Sequence, residues 1–132
     1  MKNPNLGIDK RKSKRISARF TIIYDVYKPL SASMRVAGKE VDALMLDLSS
    51  RGMAICTNYD IPASTVLRIK FTLINRKAEL ESQVKSIELM GEVRYNVLWG
   101  NNEHRLGIEF TEIKEEDQKA IEDFVETISS WS

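Results

Sequence analysis

Residues 66–73 alternate without interruption. Leu67, Ile69, Phe71 and Leu73 fall on one side, and Arg68, Lys70 and Thr72 on the other. A strict period of two builds a strand with one face toward a core and one toward water; a helix would spread the same side chains around its whole circumference. The pattern recurs in weaker form along the chain. Phe20, Ile22, Tyr24 and Val26 alternate over 18–27, and Val93, Tyr95, Val97 and Trp99 alternate over 93–99. Leu106, Ile108 and Phe110 alternate back after the turn at 100–103, which makes a hairpin. Further strands are expected over 40–48, 53–57 and 80–89. Loops are expected over 28–39 and 58–64, where Pro and Ser gather, and a turn at 75–77. Gly91 marks a bend or bulge.

The period changes once. Ile121, Phe124, Val125 and Ile128 stand at helical spacing, with Trp131 three further on, and Glu115, Glu116 and Asp117 precede them. Acids in a first turn suit the positive end of a helix dipole. This predicts one helix over about 114–130, laid on the end or flank of the sheet. Some six antiparallel strands and one terminal helix give an all-β class: a small barrel in a single domain over 16–132. At 132 residues, 42% apolar and 30% charged, the chain can bury one core of this size.

Two stretches are not explained by strand patterning. The first is Asp47-Leu48-Ser49-Ser50-Arg51-Gly52, between the apolar runs 43–46 and 53–56. It reads as a polar corner between two strands. Leu44, Leu46 and Leu48 are expected on one face of the first strand, and Asp47 on the other. Asp and Ser bond readily to nearby backbone, and Gly52 permits an unusual conformation or a close approach, so a purely structural corner is one reading. The second stretch is the basic segment 9–15, which places Arg11 and Arg15 four apart. Net charge is only +1, yet the first 20 residues hold seven Lys or Arg against Asp9 alone, and from Glu112 onward seven acids face two lysines. That asymmetry points to a local anion site at the N-terminal end. Residues 1–15 carry no periodic apolar pattern and read as a flexible basic arm.

Cys56 and His104 are each the only residue of their type, so neither an internal disulfide nor a recognisable zinc set is available. Cys56 reads as a small buried hydrophobe in its strand. No apolar run reaches membrane-spanning length and no signal-peptide core is present, so a cytoplasmic protein is expected.

Arg11-x-x-x-Arg15, then a strand, then Asp47-x-Ser49-x-x-Gly52 at a strand corner resembles the PilZ domain family. Its signatures are RxxxR in an N-terminal arm and D/N-x-S-x-x-G at a corner of the barrel. Leu106 to Phe110 before a helix also resembles the family's closing strand, and the similarity runs from about Asp9 to Ile128. The resemblance implies a six-stranded antiparallel split barrel and a receptor for cyclic di-GMP that signals to a protein partner in bacterial motility or biofilm control. It implies ligand contacts from Arg11, Arg15, Asp47, Ser49 and Gly52. Lys10, Lys12, Ser50 and Arg51 flank the motifs as candidates for further contacts. No cofactor, metal or catalytic residue is implied. Arg15 and Arg19 are also four apart, but Arg19 falls at the start of the first expected strand, which favours the Arg11 and Arg15 register.

The residue chemistry agrees. Guanine's N7 and O6 accept a bidentate arginine fork, a guanidinium can stack on a purine, and a carboxylate can accept from guanine N1–H and N2–H₂. Ser49 can donate to a phosphate or base acceptor, and the arm is expected to close over the ligand as it binds. Three other readings stay open. A nucleic-acid-binding barrel would use the arm as a phosphate clamp. An interaction domain would keep the fold without the ligand. An enzyme is disfavoured, for the sequence shows no Walker loop, no Ser/His/Asp set and no metal-ligand cluster.

Overall fold

The computed structural model describes residues 15–75 and 83–131. Seven strands and two α-helices follow in order: β1 (Arg15–Ser17), β2 (Thr21–Lys28), α1 (Leu30–Ser33), β3 (Val41–Ser49), β4 (Gly52–Thr57), β5 (Val66–Asn75), β6 (Gln83–Leu98), β7 (His104–Glu112) and α2 (Glu115–Trp131). Six of the strands close a barrel in the order β3-β2-β5-β6-β7-β4, with β4 pairing back to β3 and every pair antiparallel. The short β1 pairs with the far end of β3, end to end with β2 along the same edge.

The period-two reading of β5 holds throughout its length. Leu67, Ile69, Phe71 and Leu73 are buried in the core, joined by Ile22 and Tyr24 of β2 and by Ile55, Ile87, Val93, Leu106 and Ile108 from the other strands. Helix α2 starts and ends within a residue of expectation. Ile121 and Val125 enter the core, and the Phe124 ring stands edge-on to Phe20 at 6.3 Å. The helix lies against β1, β3, β5 and β6, so it covers one end of the barrel. Of the turn expected at 75–77, Asn75 ends β5, and residues 76–77 and the Trp131 side chain lie outside the described part. No helix among the described residues is long and apolar enough to cross a membrane.

The structure corrects four expectations. The segments at 80–89 and 93–99 are one strand: β6 runs unbroken through Gly91, with a register shift at Met90/Gly91. Gly91 bends the strand without ending it. The first long strand begins at Thr21, with residues 18–20 crossing between β1 and β2. The loop expected over 28–39 contains α1 and a 3₁₀ turn, Met34–Val36, which bury Ala32 and Val36.

The fourth correction concerns phase. In β3, Val41, Ala43 and Met45 face the core while Leu44 is 39% exposed. A register shift between Met45 and Asp47 then inserts one extra residue, after which Leu48 is the core residue and Asp47 faces outward. In β6 a shift between Val93 and Tyr95 likewise takes Tyr95 and Val97 out of the core phase of Val93, and Leu98 and Trp99 at the strand's end are exposed too. A bulge resets alternation by one, so side chains beyond it change faces. Cys56, on the outward phase of β4, is only partly buried, and burial still pushes its thiol pKa up.

One buried polar pair sets an alkaline limit on this core. The Tyr24 hydroxyl lies 2.8 Å from Thr57 Oγ1, and burial, first, pushes its pKa up to about 12. The unfolded chain loses that proton near 10, so between pH 10 and 12 the folded state holds a proton the unfolded state has released. This contribution is whole below pH 10 and is lost as pH rises through 12, about 2–3 kcal/mol in all. Tyr24→Phe is expected to remove the difference, and to cost about 1 kcal/mol at neutral pH through the lost hydrogen bond. Denaturant melts from pH 8 to 12 check it; parallel pH curves for both proteins would contradict it.

Candidate functional site

The corner at 47–52 is built by its own side chains. β3 ends at Ser49 and β4 begins at Gly52, leaving Ser50 and Arg51 as the turn. The Ser49 hydroxyl accepts from the backbone N–H groups of Arg51 and Gly52, both at 3.2 Å, and donates to the Gly52 carbonyl at 3.3 Å. Ser49 is 1% exposed. Its hydroxyl is therefore engaged in holding the turn, and a direct ligand contact would have to exchange one of these bonds.

Gly52 is glycine because of what lies beside it. Its φ is not in the left-handed region. A Cβ added there would instead collide with the Ile108 carbonyl oxygen on β7. The close approach is made by the barrel's own backbone. Just beyond it, Phe110 N–H donates to the Arg51 carbonyl at 2.9 Å. Ser50 is bound from the other side, where Gln118 Nε2 of α2 donates to its carbonyl at 3.1 Å.

Asp47 is the hub. Its Oδ1 accepts from the Ala54 backbone N–H at 3.2 Å and from the Arg15 guanidinium, and its Oδ2 accepts from Arg105 Nη2 at 3.1 Å. Arg15 reaches it because β1 pairs with β3 in a register that sets Arg15 beside Ser49 and Ser17 beside Asp47. Arg105 reaches it because β7 pairs with β4, and β4 with β3. One carboxylate thus joins two arginines from strands that are 90 residues apart in sequence. Both carboxylate oxygens are engaged, and the Asp47 side chain is only 18% exposed.

Around this hub lies a cavity of about 340 Å³. It is lined by Arg15, Arg51, Arg94 and Arg105, by Asp47 and Glu109, and by Tyr95 with the backbone at Gly52 and Gly107. Arg94 is paired with Glu109. The lining groups carry a net +2, and the Tyr95 ring fills the space that a Gly107 side chain would take. The Tyr95 hydroxyl, first, and then Asp47 hold Arg105 further into its charged form than a free arginine. A larger groove of about 610 Å³ lies between β2, β5, β6 and the start of α2, but there three lysines face four carboxylates. An anion would be held at the first and not at the second. Among the described residues, no three of His, Cys, Asp and Glu converge as metal ligands.

Of the residues singled out in the sequence, Arg15, Asp47, Arg51 and Gly52 line one cavity, and Ser49 and Ser50 support it from beneath. Lys10, Arg11 and Lys12 lie outside the described residues. Arg19 is not among the lining residues. Arg94, Tyr95, Arg105 and Glu109 were not foreseen. Outward phase on the closing strand was legible for Arg105, since Leu106 faces in; that β7 lies beside Asp47 required the strand order.

The PilZ domain family model matches residues 9–127. The fold is similar to the solved structure of Bacillus subtilis inhibitor of motility (MotI/DgrA), with a TM-score of 0.73 and 18% identity over 92% of this chain and 52% of that one. The chain therefore spans about half that protein's length, and at this identity the likeness is one of fold. No curated protein matches by sequence.

Proposed function

This chain belongs to the PilZ domain family, and from that premise we propose that it is a receptor for cyclic di-GMP. The observation that carries the reading is the cluster Arg15–Asp47–Arg105 beside Arg51, where one carboxylate leaves the arginines in excess. The ligand brings two phosphodiester charges and two guanines. The net +2 of the cavity matches the charges, and arginine forks suit phosphate oxygens and guanine O6/N7 alike. Asp47 holds the forks apart and aimed before the ligand arrives, which lowers the ordering cost of binding.

The ligand also has a route to an output. Arg15 stands at the start of β1, β1 packs on α2, and α2 is bonded to the corner through Gln118 and Ser50. Engagement of Arg15, with Arg11 and its neighbours closing from the arm, would be felt at the helix and passed to a protein partner in the cytoplasm. The structural neighbour is named as an inhibitor of motility, so we place this output in motility or biofilm control.

The test is titration calorimetry of the purified protein with cyclic di-GMP beside Arg15→Ala. Removal of one charge-assisted fork is expected to weaken binding about 10- to 150-fold. No binding by the intact protein would turn the reading to a PilZ-fold interaction domain. Equal amide exchange at residues 10–15 with and without ligand would remove the closing arm while leaving the receptor.

A further inference from the structure

Arg105 belongs to neither sequence signature, yet it is the most tightly aimed cation in the cavity. Three groups hold its guanidinium. Asp47 Oδ2 accepts from Nη2 at 3.1 Å, the Tyr95 hydroxyl favours its charged form, and the guanidinium carbon lies 5.8 Å from the centre of the Trp99 ring. The side chain is still 32% exposed and lines the cavity with Arg15 and Arg51. A guanidinium has five N–H donors, which these partners do not exhaust.

The surroundings separate Arg105 from the other arginines. Among the described residues, no aromatic ring is stacked against Arg15 or Arg51. Arg105 lies against the Trp99 ring and shares the cavity lining with Tyr95. A tetrahedral phosphate gains nothing from aromatic neighbours. A planar base does, because a purine held edge-on by the fork shares the cavity with the Tyr95 ring. The fork's bidentate match is guanine O6 and N7; adenine, with an amino donor in place of O6, faces it donor to donor.

Resting on the cyclic di-GMP reading, we propose that Arg105 is a specificity-determining residue of this site: it reads the O6/N7 edge of one guanine, and Asp47 acts partly by positioning it. Arginine is required here and lysine is not equivalent, since lysine keeps the charge and loses the fork.

The experiment is calorimetric titration of the intact protein, Arg105→Lys and Arg105→Gln with cyclic di-GMP and with cyclic GMP-AMP, which exchanges one guanine for adenine. Melting temperatures of the free proteins are measured alongside, and either folded variant carries the test. The expected result is that both variants lose about 5- to 150-fold for cyclic di-GMP. They lose less for the hybrid, so the preference for the second guanine narrows. Equal losses for both ligands would overturn base reading and leave Arg105 a phosphate contact. Unchanged affinities in folded variants would overturn any role for Arg105 while leaving the receptor reading in place. No binding of either ligand by the intact protein would bring down both together.

Discussion

Gly52→Ala lowers the melting temperature by roughly 10 °C, a loss of about 3 kcal/mol, in the expected result. Alanine suits the backbone dihedrals at this position, since Gly52 is not in the left-handed region. The cost comes wholly from the Ile108 carbonyl oxygen, which occupies the place of the new Cβ. A flexible side chain could swing away, but this obstacle is backbone at the corner end of the β4–β7 ladder, where Gly52 pairs with Glu109. Relief therefore requires β4 and β7 to part at this end, which strains the bonds nearest the corner, including Phe110 to Arg51. Gly38 is the useful contrast. It has a φ of +66° and open space around it, so Gly38→Ala costs only about 1 kcal/mol, and for conformational reasons. Thermal melts of both variants separate the two causes. An unchanged melting temperature for Gly52→Ala would mean that β4 and β7 do not approach this closely.

Asp47→Ala is expected to weaken cyclic di-GMP by about 100-fold, at least as much as loss of Arg15 alone. The substitution releases Arg15 and Arg105 together and leaves two guanidiniums repelling across a site with no carboxylate between them. It also removes the side-chain acceptor of the Ala54 N–H. Asp47→Asn restores an acceptor of the same shape without the charge, so its affinity should fall between the two. The fold should tolerate both changes at a cost near 1 kcal/mol, because Asp47 points outward from the core. Calorimetry with both variants checks this. Affinity retained by Asp47→Ala would show that the arginines are positioned without it.

Much of the architecture was legible because its signals are local. The alternation over β5, the helical spacing of Ile121, Val125 and Ile128, and the polar corner at 47–52 each depend on residues within a few positions of one another. The structure has all three where the pattern set them. The errors of phase share one cause. Leu44 was set on one face with Leu48, and Tyr95 and Val97 in one alternation with Val93, by extending a pattern across a bulge. A bulge is a property of a strand pair, and the partner strand is far away in sequence.

The candidate site divides along the same line. Its motif residues declared themselves by type and spacing: a short carboxylate, a hydroxyl and a glycine at a corner, and an arginine in a basic segment. Their separate duties did not. Only the folded barrel shows Ser49 holding the turn, Gly52 yielding to the Ile108 carbonyl, and Asp47 joining two arginines. Sequence alone determined the all-β class, the terminal helix and the corner, because backbone preference and side-chain period act over a few residues. Tertiary structure alone decided which strands lie side by side, and so brought Arg105 of β7 to Asp47 of β3, because that contact depends on the order in which six strands close a barrel.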